Sequence, residues 1–94
     1  MTEILSDDEA NRALLYGWVR HDKVIQREVE LPSFPKAIEV VDRVAVLAEA
    51  ADHHPDIDIR WRTLTFTLST HSAGGLTIKD FALAKQINET LDGL

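Results

Sequence analysis

Four histidines occur in this 94-residue chain, and three of them fall in one stretch: His53 and His54, side by side in Asp52-His53-His54-Pro55, and His71. An acid, Glu49, stands four residues before the pair, and Trp61 and Asp80 follow at wider intervals. Imidazole is the one side chain whose unperturbed titration lies near neutral pH, so imidazoles gathered with carboxylates point to proton transfer.

On a helix ending near His53, Glu49 lies one turn back on the same face, placed to orient or charge-stabilise that ring. His71, arriving from the end of a strand, would meet His53 or His54 across a cleft between the sheet edge and the helix terminus. Plainer roles exist for the same residues. A His-His-Pro at a helix end caps free carbonyls, and a histidine at a strand end faces solvent. Asp80 completes a capping box, and Trp18 and Trp61 fill a core or brace a hairpin. His21 has no partner in the pattern and reads as a surface residue. A zinc site of three histidines and Glu49 is poorly supported, because adjacent histidines before a proline rarely aim both rings at one ion. Neither HExxH nor the usual ligand spacing is present.

The elements that must hold these residues can be read from periodicity. Ser6 with Glu9 forms a capping box ahead of a short helix through Leu15, which Gly17 ends. Trp18 to Leu31 alternates as a hairpin around His21-Asp22-Lys23. Ser33 and Pro35 open the longest helix, whose apolar positions Ala37, Val40, Val41, Val44, Leu47, Ala48 and Ala51 recur at helical spacing, and Pro55 stops it at or just before His53. Val46 and Ala50 interrupt its polar side and suit a subunit contact. Ile57, Ile59 and Trp61, then Leu64, Phe66 and Leu68, predict a second hairpin turning at Arg62-Thr63. Gly74-Gly75 closes a loop, and Thr77 with Asp80 caps a last helix whose apolar face is Ile78, Phe81, Leu83, Ala84, Ile87 and Leu91. The expectation is an α+β fold in the order α-β-β-α-β-β-α, a four-stranded antiparallel sheet with three helices packed on one face, as a single domain spanning residues 1–94.

Composition narrows the function classes. The chain has no cysteine, which removes disulfides, thiolate catalysis and zinc held by sulfur. Sixteen acids against ten Lys and Arg give a net charge of -6 with no basic cluster, which argues against nucleic acid or an anionic membrane as a partner. The N-terminal residues lack the positive start and apolar run of a signal peptide, and no segment approaches the roughly 20 apolar residues that cross a bilayer. A cytoplasmic protein is expected.

Taken together, Glu49, three residues, His53-His54-Pro55, five residues, Trp61, nine residues, His71, eight residues and Asp80 resembles the signature of the pterin-4a-carbinolamine dehydratase family. The likeness extends to Gly17-Trp18, Arg43-Val44-Ala45, Leu68-Ser69-Thr70-His71 and Gly75-Leu76, from about Leu14 to Asn88. It implies dehydration of 4a-hydroxytetrahydropterin to quinonoid dihydropterin, a recycling step after aromatic amino acid hydroxylation, with no metal or organic cofactor. It also implies association into homodimers or homotetramers through sheet edges and the central helix. By the same resemblance His53, His54 and His71 are catalytic, with Glu49 tuning His53. Asp52 and the segment Ser69, Thr70, His71 and Ser72 hold the pterin, Trp18 walls its ring, and Pro55, Trp61 and Asp80 support the site. Ser72 stands where some relatives carry an acid. A non-catalytic dimerisation or assembly cofactor on the same fold is the competing expectation.

Overall fold

Thr63-Leu64-Thr65-Phe66-Thr67-Leu68 alternates small polar and large apolar residues, so a strand built from it turns Leu64, Phe66 and Leu68 to one side. In the computed structural model, which describes residues 3–94, those three side chains are fully buried and the threonines half-buried. Met1 and Thr2, the first residues of the segment read for a targeting signal, lie outside the described residues. The elements run α1 (Asp7–Ala13), β1 (Val19–His21), β2 (Val24–Glu30), α2 (Phe34–Ala51), β3 (Asp56–Arg60), β4 (Thr63–Leu68), a 3-10 turn (His71–Ala73) and α3 (Ile78–Asp92). The expected order of helices and strands holds, and all four strands pair antiparallel.

The two hairpins join through their second strands, so the spatial order is β1-β2-β4-β3, with Ile25 opposite Leu68 and Val29 opposite Leu64. β3 lies on the other side of β4, where Ile57 faces Phe66 and Asp56 faces Thr67. Against the apolar face α2 buries Ala37, Val40, Val44 and Ala48, and α3 buries Leu83, Ala84 and Ile87. These residues form one core with the sheet. Each large member contributes about 1.5–3 kcal/mol by leaving water. Among the described residues no helix is long and apolar enough to cross a membrane. Val46 and Ala50 stand exposed on the outer side of α2.

Several boundaries differ from the periodic reading, each for a local reason. α2 stops at Ala51 because Asp52 turns left-handed (φ 49, ψ 45) and donates its N–H back to the carbonyls of Ala48 and Glu49. Aspartate tolerates that conformation better than most residues. The second hairpin turns at Trp61-Arg62 rather than Arg62-Thr63, since Arg60 pairs with Thr63 and leaves two residues for the loop. Trp61 therefore sits at φ 54 instead of ending a strand. α1 ends at Ala13, short of Leu15. Ile78 is 66% exposed, because the inward stripe of α3 starts at Asp80, about 200° further round at 100° per residue.

The first helix gives a pH test. Ser6 and Glu9 form the expected capping box, and the hydrogen bonds from the Ser6 backbone N–H and hydroxyl side hold the Glu9 carboxyl below its usual range. A carboxyl lowered on folding adds stability above the ordinary carboxylate range, and that stability is lost as pH falls through its folded titration. Glu9→Gln is expected to lower the urea midpoint at pH 7 and to approach the wild-type midpoint in acid. An equal displacement at both pH values would show that the charge contributes nothing.

Candidate active site

The antiparallel register sets the site. Since Asp56 opens β3 opposite Thr67 near the end of β4, the residues leading into β3, His53 to Pro55, run beside those leaving β4, Ser69 and Thr70. The N-terminus of α3 arrives at the same place, because Thr70 is bridged to Gly75 just before the cap at Thr77. Three segments distant in sequence thus converge where α2 ends, β4 ends and α3 begins.

At their meeting point Nε2 of His53 lies 2.6 Å from Oδ1 of Asp80. The carboxylate is fully buried and His53 is 8% exposed. Oδ2 of Asp80 accepts from the Thr77 backbone N–H at 2.9 Å and from the Thr70 hydroxyl at 2.8 Å, and the Thr70 and Thr77 hydroxyls are 2.7 Å apart. A carboxylate can only accept, so the hydrogen of the His53 ring is on Nε2. Among the described residues His53 Nδ1 has no hydrogen-bond partner, and it is not sealed from solvent, so it is the ring nitrogen that reaches the surface.

Beside this buried pair stands an exposed one. His54 places Nε2 2.7 Å from Oε1 of Glu49. The sequence reading assigned Glu49 to His53, and the structure corrects it: the left-handed turn at Asp52 takes His53 off the helical path, into the core against Asp80, and brings His54 back over the last turn of α2. His71 opens the 3-10 turn, exposed and, among the described residues, without a hydrogen bond from its ring, one Cα step of about 3.8 Å beyond the Thr70 that contacts Asp80. Asp52 and Ser72 are also exposed in this region.

Other assignments shift. Thr70 is 4% exposed with its hydroxyl committed to Asp80, and the Ser69 hydroxyl donates to the Lys23 carbonyl at 2.8 Å, so neither side chain is free for a ligand. The Thr70 backbone is taken as well, its N–H donating to the Gly75 carbonyl and its own carbonyl accepting from Ala73 and Gly74. Trp18 does not wall this site. Its indole is buried in the core and donates to Asn88 Oδ1 at 2.9 Å, eight residues or about 12 Å further along α3 from Asp80. Trp61 is exposed at the tip of the β3–β4 hairpin with the Arg62 guanidinium 4.6 Å over its ring, and Pro55 leads into β3. Asp80 is a capping residue and the partner of His53 at once. Thr77 was read only as a cap. The one hint of a second use was a Thr-rich strand end near a capping threonine. Among the described residues no group of three or more His, Asp or Glu is arranged to hold a metal ion.

Deleting a buried carboxylate leaves the donors that met it unmatched, at about 1–3 kcal/mol each, whereas exposed pairs contribute about 0–1 kcal/mol. Asp80→Ala is therefore expected to lower unfolding free energy by several kcal/mol in urea titrations, and Glu49→Ala by under about 1 kcal/mol. Comparable losses would mean that the Asp80 cluster is not the interior anchor it is taken to be.

Comparison with known proteins bears on the family and the fold. Residues 3–90 match the family described as Pterin 4 alpha carbinolamine dehydratase. A Nocardia farcinica protein provisionally named pterin-4-alpha-carbinolamine dehydratase is 62% identical, covering 94% of this chain and 95% of its own length. One of the same provisional name from Roseiflexus castenholzii is 57% identical, over 97% of this chain and all of its own. The crystal structure of a transcriptional coactivator/pterin dehydratase from Brucella melitensis superposes with a TM-score of 0.89 at 33% identity, covering 94% of this chain and 98% of that one. A pterin dehydratase-like RuBisCO assembly factor of the alpha-carboxysome shares the fold alone, with a TM-score of 0.64 at 18% identity over 78% of this chain and 84% of its own. With the match running nearly end to end, the chain belongs to the pterin-4a-carbinolamine dehydratase family.

Proposed function

We propose that this protein removes water from a 4a-hydroxytetrahydropterin to give a quinonoid dihydropterin. One observation carries the reading: two consecutive imidazoles each have Nε2 bonded to a carboxylate, His53 to Asp80 and His54 to Glu49, so that each presents Nδ1 for proton transfer. In the substrate C4a bears a hydroxyl and N5 a hydrogen. Cleavage of C4a–O needs a proton on the departing oxygen, and the C4a=N5 double bond forms as N5 gives up its hydrogen. One proton enters and one leaves, no electrons are exchanged, and the products are the dihydropterin and water. A base and an acid beside one carbon at neutral pH meet that requirement.

A carboxylate behind the ring supports this work twice. It fixes the tautomer, keeping Nδ1 a free acceptor, and it stabilises the imidazolium that forms when Nδ1 takes a proton. In this reading His53 and His54 exchange protons with the substrate, His71 approaches from the 3-10 turn, and Glu49 and Asp80 hold their rings. Asp52, Ser72 and the backbone at Ser69 contact the pterin, Thr70 stands behind them against Asp80, and Pro55 and Trp61 shape the surrounding segments. A homodimer or homotetramer using the β3 edge and the exposed Val46 and Ala50 of α2 belongs to the same proposal. The second reading, an assembly module without catalysis, draws support from the fold shared with the carboxysomal assembly factor.

Absorbance during dehydration of freshly generated 4a-hydroxytetrahydropterin separates the two. Wild type is expected to accelerate the reaction, with His53→Ala slower by about 100-fold or more and His71→Ala also impaired. Identical rates in wild type and both variants would leave the assembly reading. The rate is expected to peak near neutrality, since acid protonates the base and alkali strips the acid, and a flat profile from about pH 5 to about pH 9 would contradict histidine catalysis.

A further inference from the structure

We propose that the hydroxyl chain Thr77–Thr70–Asp80 sets how tightly His53 holds its proton, which makes Thr70 a positioning residue of the site. The direction of the chain follows from counting hydrogens. Each threonine hydroxyl has one hydrogen, and the carboxylate has none to give. Thr70 Oγ1 is 2.8 Å from Asp80 Oδ2, so its hydrogen points there. The 2.7 Å contact between the two hydroxyls is then filled by the hydrogen of Thr77, whose oxygen accepts from the Lys79 N–H at 3.3 Å. Thr70, Thr77 and Asp80 are all buried. Oδ2 thus receives two donors, the Thr70 hydroxyl and the Thr77 N–H, and Oδ1 is left to His53.

The helix cap does not account for Thr70. A capping box needs only the Thr77 side chain, the Asp80 side chain and their two backbone N–H groups. Thr70 comes from the far side of the 3-10 turn and adds a donor at the oxygen that does not face the ring. Donors to a carboxylate spread its charge and weaken its pull on a neighbouring cation. Without the Thr70 hydroxyl, Asp80 attracts the His53 imidazolium more strongly, so His53 keeps its proton to higher pH and releases it less readily. The other titratable groups near His53 are Asp52 and His54 beside it in the chain, Glu49 on the last turn of α2, and His71 beyond Thr70. Replacing a threonine hydroxyl removes none of them.

Thr70→Val keeps the branched shape and deletes the donor, and Thr70→Ser keeps the donor. The kinetic half of the test rests on the dehydratase reading, whereas NMR titration of the His53 ring does not. For Thr70→Val we expect kcat lower by about tenfold with KM little changed, and both the acid limb of the rate profile and the His53 ring signals' midpoint displaced to higher pH than in wild type. Thr70→Ser should restore both. If valine is not accommodated, Thr70→Ala is read in the same way. Absent dehydration in wild type with a shifted His53 titration would overturn the enzyme reading and leave the hydroxyl chain standing. A folded Thr70→Val whose His53 titrates as in wild type would reduce Thr70 to a packing residue and overturn the proposal.

Discussion

A fully buried carboxylate is costly in the interior unless its oxygens are met by donors, and around Asp80 every donor comes from a different part of the chain. His53 comes from the end of α2, Thr70 from the end of β4, and Thr77 from the start of α3. Remove the convergence and the charge is stranded, so burial of Asp80 and closure of these three segments are one event. The site is therefore tied to the folded core. Its histidine cannot be displaced without unmatching an interior acid.

Two carboxylate–imidazole pairs of nearly equal length stand on adjacent residues yet live in different dielectrics. The His53–Asp80 hydrogen bond is buried, where electrostatic interactions are strong and little screened, while His54–Glu49 is exposed and screened by solvent and salt. Identical chemistry in unequal surroundings is a common way to separate the acid and base roles of like groups. The left-handed Asp52 creates the inequality, because it directs one ring inward and leaves the next outside.

The sheet explains why the imidazoles and carboxylates gather at this end of the molecule. β2 and β4 take the centre, so the segments that must bend away from the sheet gather where β4 ends and β3 begins. Just past β4, Thr70 supplies a hydroxyl there, while Leu64, Phe66 and Leu68 of the strand keep the apolar face buried.

Periodicity alone determined the elements: the alternation of Leu64, Phe66 and Leu68 and the stripe of Ala37, Val40, Val44 and Ala48 force a half-buried strand and an amphipathic helix wherever they are placed. The Ser6, Ser33 and Thr77 caps were equally legible, since capping depends on neighbours three residues apart. The spacing of Glu49, His53, His54, His71 and Asp80 marked the site for the same reason that it resembles a family signature. What spacing does not contain is which acid meets which ring. Glu49 is nearer to His53 in sequence, but one residue in the left-handed region redirects everything after it, and Trp18 was drawn into the core by Asn88, 70 positions away. Pairings across such separations depend on strand register and helix packing, which are properties of the whole folded chain, so only the tertiary structure could assign His53 to Asp80 and Thr70 to the interior.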